Sequence, residues 1–430
     1  MAGKPVDGQH VDILLVGGGV AAANAAEELR RNGFDGTIAV ATRESDPPYY
    51  RFYLTKEYLR GKVSREDLFV HSPEWWQDND VALWLRAPVA NPDLDAHTVR
   101  VGRRTVSWGK MLLATGSTVR PLICEGAGLR GVHYLRTTWN AADLRDGARS
   151  ATRAVVVGGS FIAAEAAASL AALGLDVTII FPENLPFART LGAPIGALVA
   201  DELARLGVRM VPHTTAAAFQ GTERVDAVTL STGVHLPADL VVVGTGSRRE
   251  TTLATAAGLP LGPAGGILCD STLRAHDAVW AAGDVCEFHN VHLGRATNIE
   301  HDRVAAAQGR HAARSMLGAK ECFDALPYFW TSVGEELRID VIGFHGPGRQ
   351  PQPLNLAHHP DLAARFTPSS GGLVAAPAAF RYSAEGSTVG YASVNGALHL
   401  RVAGHHLAQT SAPQSRRTHG GIAETGAGMR

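Results

Sequence analysis

The segment Leu15-Val16-Gly17-Gly18-Gly19-Val20-Ala21-Ala22 returns 141 positions later as Val156-Val157-Gly158-Gly159-Ser160-Phe161-Ile162-Ala163. Internal similarity of this kind limits a chain to folds that use one unit twice. Each copy follows a β-branched apolar run, Val11 to Val16 and Ala154 to Val157. Each runs into an alanine-rich stretch read as helix, Ala23 to Arg31 and Ala164 to Leu173. A second apolar strand follows in both, Thr37 to Ala41 and Val177 to Phe181. The pattern predicts two βαβ units, each opening with a glycine turn.

A turn of this form has a chemical use. The first glycine permits the tight bend, the second admits a pyrophosphate against the backbone, and the third small residue packs helix on strand. The helix N-terminus then offers free N–H groups to the anion. The first copy supplies Gly17, Gly19 and Ala22, with Val20 and Ala21 opening the helix. Glu44, 27 residues after Gly17, stands where an acid would hold a ribose. The second copy has Ser160 in place of the middle glycine, and its hydroxyl is available to donate to a phosphate. Its nearest acid is Glu183, just past Phe181.

Composition narrows the remaining choices. Lys+Arg is 40 and Asp+Glu is 41, a net charge of −1, so no basic field is offered to nucleic acid or to an anionic membrane. No apolar run approaches the ~18 residues of a membrane span. Ile13 to Ala23 has the apolarity of a secretory leader, but Asp7, Asp12 and the three glycines argue for a strand and turn, hence a cytoplasmic protein. The 4 cysteines, Cys124, Cys269, Cys286 and Cys322, have neither zinc nor CxxC spacing, and no metal site is expected.

Three more segments end strands at small polar turns: Leu112 to Ser117, Leu240 to Gly246, and Val279 to Val285, with a helix expected over Ile299 to Met316. Taken in order, these motifs resemble the FAD-dependent pyridine nucleotide oxidoreductases, of the ferredoxin reductase and apoptosis-inducing-factor type. The resemblance covers roughly residues 10 to 405. It implies an α/β fold with two Rossmann-like dinucleotide-binding domains, the NAD domain inserted in the FAD domain, and a small C-terminal α+β domain. The FAD domain would be residues 10–121 and 244–325, the NAD domain 122–243, and the C-terminal interface domain 326–410, with 411–430 a disordered tail.

The resemblance also implies roles. Gly17, Gly19, Val20 and Ala21 would face the FAD pyrophosphate, and Glu44 the adenosine ribose. Arg51 and Lys56, in Tyr50-Arg51-Phe52-Tyr53-Leu54-Thr55-Lys56, match the family's Arg-Pro-Pro-Leu-Ser-Lys. Val89 matches a backbone contact to adenine, Thr115 and Gly116 the Ala-Thr-Gly turn, Asp284 the acid at the ribitol, and Trp330 an aromatic on the flavin's far side. His301, in Asn298-Ile299-Glu300-His301, matches a residue near the flavin of the apoptosis-inducing-factor branch. For NAD the matching positions are Gly158, Ser160, Phe161, Ile162, Glu165, Glu183 and Gly246. Lys56 and Glu165 would be the catalytic pair, the ammonium beside flavin N5 and the carboxylate its partner.

Departures are also present. Phe52 and Tyr53 replace two prolines, Arg249-Glu250 replaces Pro-Asn, and Phe181 replaces an acid. Glu183 favours NADH over NADPH, because a carboxylate repels a 2′-phosphate. No cysteine precedes Cys124, so the redox dithiol of glutathione-reductase-like relatives is missing. Reduced flavin would discharge to a one-electron carrier, a ferredoxin- or rubredoxin-type iron–sulfur protein. The alternatives are an NADH-responsive flavoprotein of the apoptosis-inducing-factor kind, and a flavoenzyme acting directly on a small molecule. A monomer or homodimer is expected. At the C-terminus, Ala379 to Tyr382 and Thr388 to Asn395 read as a hairpin, His399 to His406 as a closing helix, and Gly346 to Pro353 as a loop.

Overall fold

The first apolar run forms the strand Gln9–Val16, whose inner half is fully buried. It lies parallel between Ile38–Ala41 and Arg104–Leu113, with Val16 opposite both Ala41 and Leu113. Strands covered on both faces read as continuous apolar runs, which is what these sequences show. The computed structural model describes residues 4–346, 349–364 and 376–410. The sheet has 8 strands, in the order Arg274–His276, Val279–Ala281, Arg104–Leu113, Gln9–Val16, Ile38–Ala41, Val81–Trp84, with Val89–Asp93 and Thr98–Val101 joined at the side. The helix Val20–Arg31 covers one face and packs on the helix Asp302–Met316. Their close approach depends on Gly309, where a Cβ would sit 2.1 Å from the Ala21 carbonyl oxygen.

The second copy builds a five-stranded sheet in the order Arg209–Val211, Asp176–Ile180, Arg153–Val157, Leu240–Val243, Val132–Tyr134. All of its pairings are parallel. The chain passes between the two sheets along an antiparallel ribbon, Ser117–Val119 against Ser247–Arg249. A third, antiparallel sheet runs Tyr328–Val333, Leu337–Gly343, Ser387–Val394, Ala378–Ala384, Gln352–Pro353. Its buried face (Val333, Ile339, Val394) shares one core with Val156, Ala167 and Leu170 of the second unit. That shared core presses the strand carrying Trp330 and Thr331 against the helix carrying Glu165.

Element ends differ from the sequence reading for local reasons. Both helices start earlier, at Val20 and Phe161, because Gly19 and Ser160 are extended N-cap residues. The residues assigned to the turn therefore supply the first helical turn. The helix expected from Ile299 begins at Asp302, since Arg295–Asn298 pairs with Cys286–Asn290 as a strand. The hairpin is present, but its second strand ends at Val394, and Asn395 turns out with φ 49°. The closing helix is Leu400–Thr410. The loop after Gly346 contains the short strand Gln352–Pro353, while its residues 347–348 and the tail 411–430 lie outside the described residues. Among the described residues, no helix is long and apolar enough to cross a membrane.

Candidate functional site

Both glycine turns sit at the C-terminal ends of central parallel strands, the place where open α/β sheets bind ligands. Gly17 has φ +138°, and a Cβ there would lie 2.1 Å from the Ala114 carbonyl oxygen. Only glycine fits such a position. Gly18 is pressed against the Thr42 hydroxyl. A Cβ on Gly19 would meet nothing within 4 Å, because that side of the turn opens on a cavity. The cavity holds about 620 Å³, and its lining runs from the turn along both sheets. It contains Gly17, Gly19, Val20, Ala21, Glu44, Arg51, Lys56, Val89, Thr115, Gly116, Asp284, His301 and Trp330, so the fold brings together every residue matched to FAD.

At one end a buried ion pair forms the wall. Lys56 Nζ lies 2.8 Å from Glu165 Oε1, and the residues are 3% and 7% exposed. Charges this deep are stable only when their remaining hydrogen-bonding capacity is met. The Thr331 hydroxyl donates to Glu165 Oε1 at 2.6 Å, and the Thr55 hydroxyl to Oε2 at 2.5 Å. Two segments far apart in sequence, Thr55-Lys56 and the strand carrying Thr331, therefore fix one carboxylate. The Lys56 ammonium also stands 5.0 Å over the Trp330 ring, which Phe52 meets edge-on at 5.3 Å. Phe52 itself lines the cavity.

In the middle, Asp284 Oδ2 accepts from the Ser117 hydroxyl at 2.6 Å and from Arg136 Nη2 at 3.3 Å. Its backbone carbonyl accepts from the Asn298 amide at 2.8 Å. His301 stacks on Phe329 at 4.0 Å with the rings 7° apart. Burial, with His345 adding to it, pushes the His301 pKa down to about 3, so the ring is neutral at every physiological pH. Glu300 is pulled the other way: burial and the nearby Asp284 raise its pKa.

At the far end, Arg51 Nη2 pairs with Glu44 Oε1 at 2.6 Å, and Tyr49 donates to Glu44 Oε2 at 2.6 Å. Arg51 also donates to the Arg136 carbonyl at 2.7 Å. The Thr115 hydroxyl is committed to the Glu250 carbonyl at 2.7 Å.

The second turn lines a smaller pocket of about 180 Å³, with Gly158, Ser160, Glu183 and Gly246 around it. Gly158 repeats the geometry of Gly17: φ is +118°, and a Cβ would lie 2.4 Å from the Gly244 carbonyl oxygen. One expectation is corrected here. The Ser160 hydroxyl donates to the Gly244 carbonyl at 2.8 Å and caps Ala163 N–H, so it is not free to donate to a phosphate. Phe161 and Ile162, matched to NAD, line the larger cavity beside Glu165. Phe181 is buried and is not part of the small pocket's wall. Glu183 pairs with Arg189 at 3.3 Å.

Sequence reasoning missed Arg136, Ser117, Thr331 and Arg189. Ser117 closes one of the strand-end motifs and Arg189 lies six residues from Glu183, whereas Arg136 and Thr331 lie in no motif and reach their carboxylates only through packing. It also did not anticipate that Cys269 and Cys286, on neighbouring strands, approach to 3.8 Å between sulfurs. No cysteine lines the larger cavity among the described residues, and all four are free thiols.

A glycine turn open to solvent, a helix N-terminus, a ribose-height acid and a long cavity fit a dinucleotide. Two such turns, each at the end of a central parallel strand and each lining a cavity, are the arrangement of a two-nucleotide oxidoreductase. The chain belongs to the pyridine nucleotide-disulphide oxidoreductase family, whose model matches residues 11–309. Membership implies FAD and NAD(P)H as cofactors. Rhodocoxin reductase of Rhodococcus erythropolis is 33% identical over 328 residues, 76% of each chain. A ferredoxin–NAD(P)+ reductase of Sphingomonas is 32% identical over 339 residues, 78% of this chain and 81% of that one. Among solved structures, putidaredoxin reductase in covalent complex with putidaredoxin superposes with a TM-score of 0.80, at 26% identity and 90% coverage of both chains.

Proposed function

We propose that this protein is an NADH-dependent FAD reductase that delivers single electrons to a ferredoxin- or rubredoxin-type iron–sulfur protein. One observation carries the reading. The larger cavity is walled jointly by the first glycine turn and by Phe161, Ile162 and Glu165 of the second unit, with no cysteine among its lining residues. A nicotinamide reaching across from the second turn would meet the flavin there, and no dithiol stands by to take the electrons onward. FAD bound in the cavity supplies a two-electron acceptor that can release its electrons singly, as an iron–sulfur centre requires. The relatives named for ferredoxin and rhodocoxin support a protein acceptor.

The chain's own residues position and tune. Gly17, Gly19 and the N–H groups of Val20 and Ala21 would take the pyrophosphate. Arg51 and Arg136 supply positive charge along it, and Ser117 orients the Asp284 carboxylate. Lys56, held by Glu165, offers a fixed cation where negative charge enters the ring. Neutral His301 and Phe329 exclude water without adding charge. Glu183 supports NADH as donor: it stands at the second turn and neutralises Arg189, the nearby group that would otherwise attract a 2′-phosphate. On this reading residues 10–121 and 244–325 bind FAD, 122–243 bind the nicotinamide nucleotide, and 326–410 cover the flavin's far side. Four free thiols suit a reducing cytoplasm.

The test is cytochrome c reduction by the purified holoprotein with NADH, with and without an added [2Fe–2S] ferredoxin or rubredoxin. Fast reduction that requires the iron–sulfur protein is expected. NADH oxidation that never reaches the added carrier, or a stable NADH complex without turnover, would contradict it.

A further inference from the structure

We propose that the ion pair between Arg43 and Glu250 is a clasp over the adenosine arm of the larger cavity, and that it sets how long FAD stays bound. The proposal rests on the flavin reading above. Arg43 stands at the end of the strand Ile38–Ala41, one residue before Glu44. Glu250 stands 207 residues later, directly after the ribbon strand Ser247–Arg249. Both line the cavity, as do Val89 and Leu253. Arg43 Nη1 reaches Glu250 Oε2 at 3.1 Å, so the pair joins two walls that the backbone leaves apart.

The two partners are not equivalent. Glu250 is fixed: its Oε1 accepts from the Thr252 hydroxyl at 2.6 Å, and its backbone N–H donates to the Gly116 carbonyl at 2.9 Å. Its own carbonyl accepts from Thr115 at 2.7 Å. Its side chain is 19% exposed, whereas that of Arg43 is 58% exposed. One end of the pair is thus anchored inside the cavity rim, and the other is a long flexible arm in water. The Glu250 carboxyl is held below its ordinary range; burial opposes this, but Thr252 and Arg43 outweigh it. A ligand arm lying between Glu44 and Val89 can leave in that direction only after Arg43 swings away. The sequence position also matters, since Arg249-Glu250 departs from the Pro-Asn of the resembling family. A neutral Asn there could not make this ion pair.

The experiment uses full-length holoprotein. Release of FAD after dilution is followed by the recovery of free-flavin fluorescence, for wild type, Arg43→Gln and Glu250→Gln. Each variant is expected to release FAD roughly two- to five-fold faster, the range that partly exposed ion pairs support. Raising the salt from ~0.05 to ~0.5 M should speed wild-type release by a similar factor and leave Glu250→Gln unchanged. The salt arm needs no variant and decides the matter if a substitution fails to fold. Release that is insensitive to both substitutions and salt would overturn the clasp while leaving the flavin reading intact. A chain that binds no FAD at all would overturn both.

Discussion

Lys56 and Glu165 meet 2.8 Å apart although they come from different halves of the repeat, one from the segment after the first βαβ unit and one from the helix of the second. Both residues line the larger cavity, and their contact is buried. Lys56→Met would strand the Glu165 carboxylate and should cost ~3–5 kcal/mol of stability. Lys56→Met with Glu165→Gln leaves no charge and keeps an acceptor for Thr331, so the double variant should be more stable than Lys56→Met alone. Urea unfolding of the holoprotein measures this. Equal losses in the two variants would show that the pair carries no buried charge to compensate.

Gly17 and Gly19 should respond differently to the same methyl group. At Gly17 a Cβ would collide with the Ala114 carbonyl in a left-handed backbone, so Gly17→Ala should destabilise the protein by several kcal/mol, on the order of a strained buried site. At Gly19 the backbone is extended, φ −113°, and the added methyl meets no protein atom. Gly19→Ala should therefore keep the melting temperature of the apoprotein and weaken FAD binding at least tenfold, about 1.4 kcal/mol. Calorimetry with and without FAD separates the two effects.

Ser160 acts within the fold. Its hydroxyl closes a bond to the Gly244 carbonyl and caps its helix. Ser160→Ala should cost about 1 kcal/mol of stability, with the KM for NADH changed less than about twofold. A KM raised tenfold at unchanged stability would return the hydroxyl to the phosphate.

The buried histidines make acid destabilising. His301 has a folded pKa near 3 against 6.5 for the free group, so between those values the unfolded chain holds a proton that the folded chain does not. Its contribution is full above about 6.5 and is lost as the pH falls toward 3, with a slope of at most ~1.4 kcal/mol per pH unit. His345, His71, His133 and His311 are lowered too, each chiefly by burial. The melting temperature should drop from pH 7 to pH 5, and by less in His301→Phe, whose ring can still stack on Phe329. A drop of equal size in that variant would remove His301 from the acid response.

The repeat made most of the parallel architecture legible, because a buried strand, a glycine turn and an alanine-rich helix each leave a local mark. Gly17, Gly158 and Asp284 could be read for the same reason. Helix starts were misread at Val20 and Phe161, since the residue that ends a turn also caps a helix. Arg136 and Thr331 were out of reach, because nothing near them in sequence says which carboxylate they will face. Ser160 was read as a ligand donor because its type allows either role, and only the nearby Gly244 carbonyl decides between them.

The most direct measurement is an anaerobic titration of the purified yellow protein with NADH, followed in the flavin absorption band. Complete bleaching by about one equivalent is expected, because one hydride carries two electrons and FAD accepts two. Flavin that is present yet unchanged by NADH and by NADPH would mean that the second glycine turn delivers no nicotinamide to the shared cavity. The electrons would then have to enter from another source.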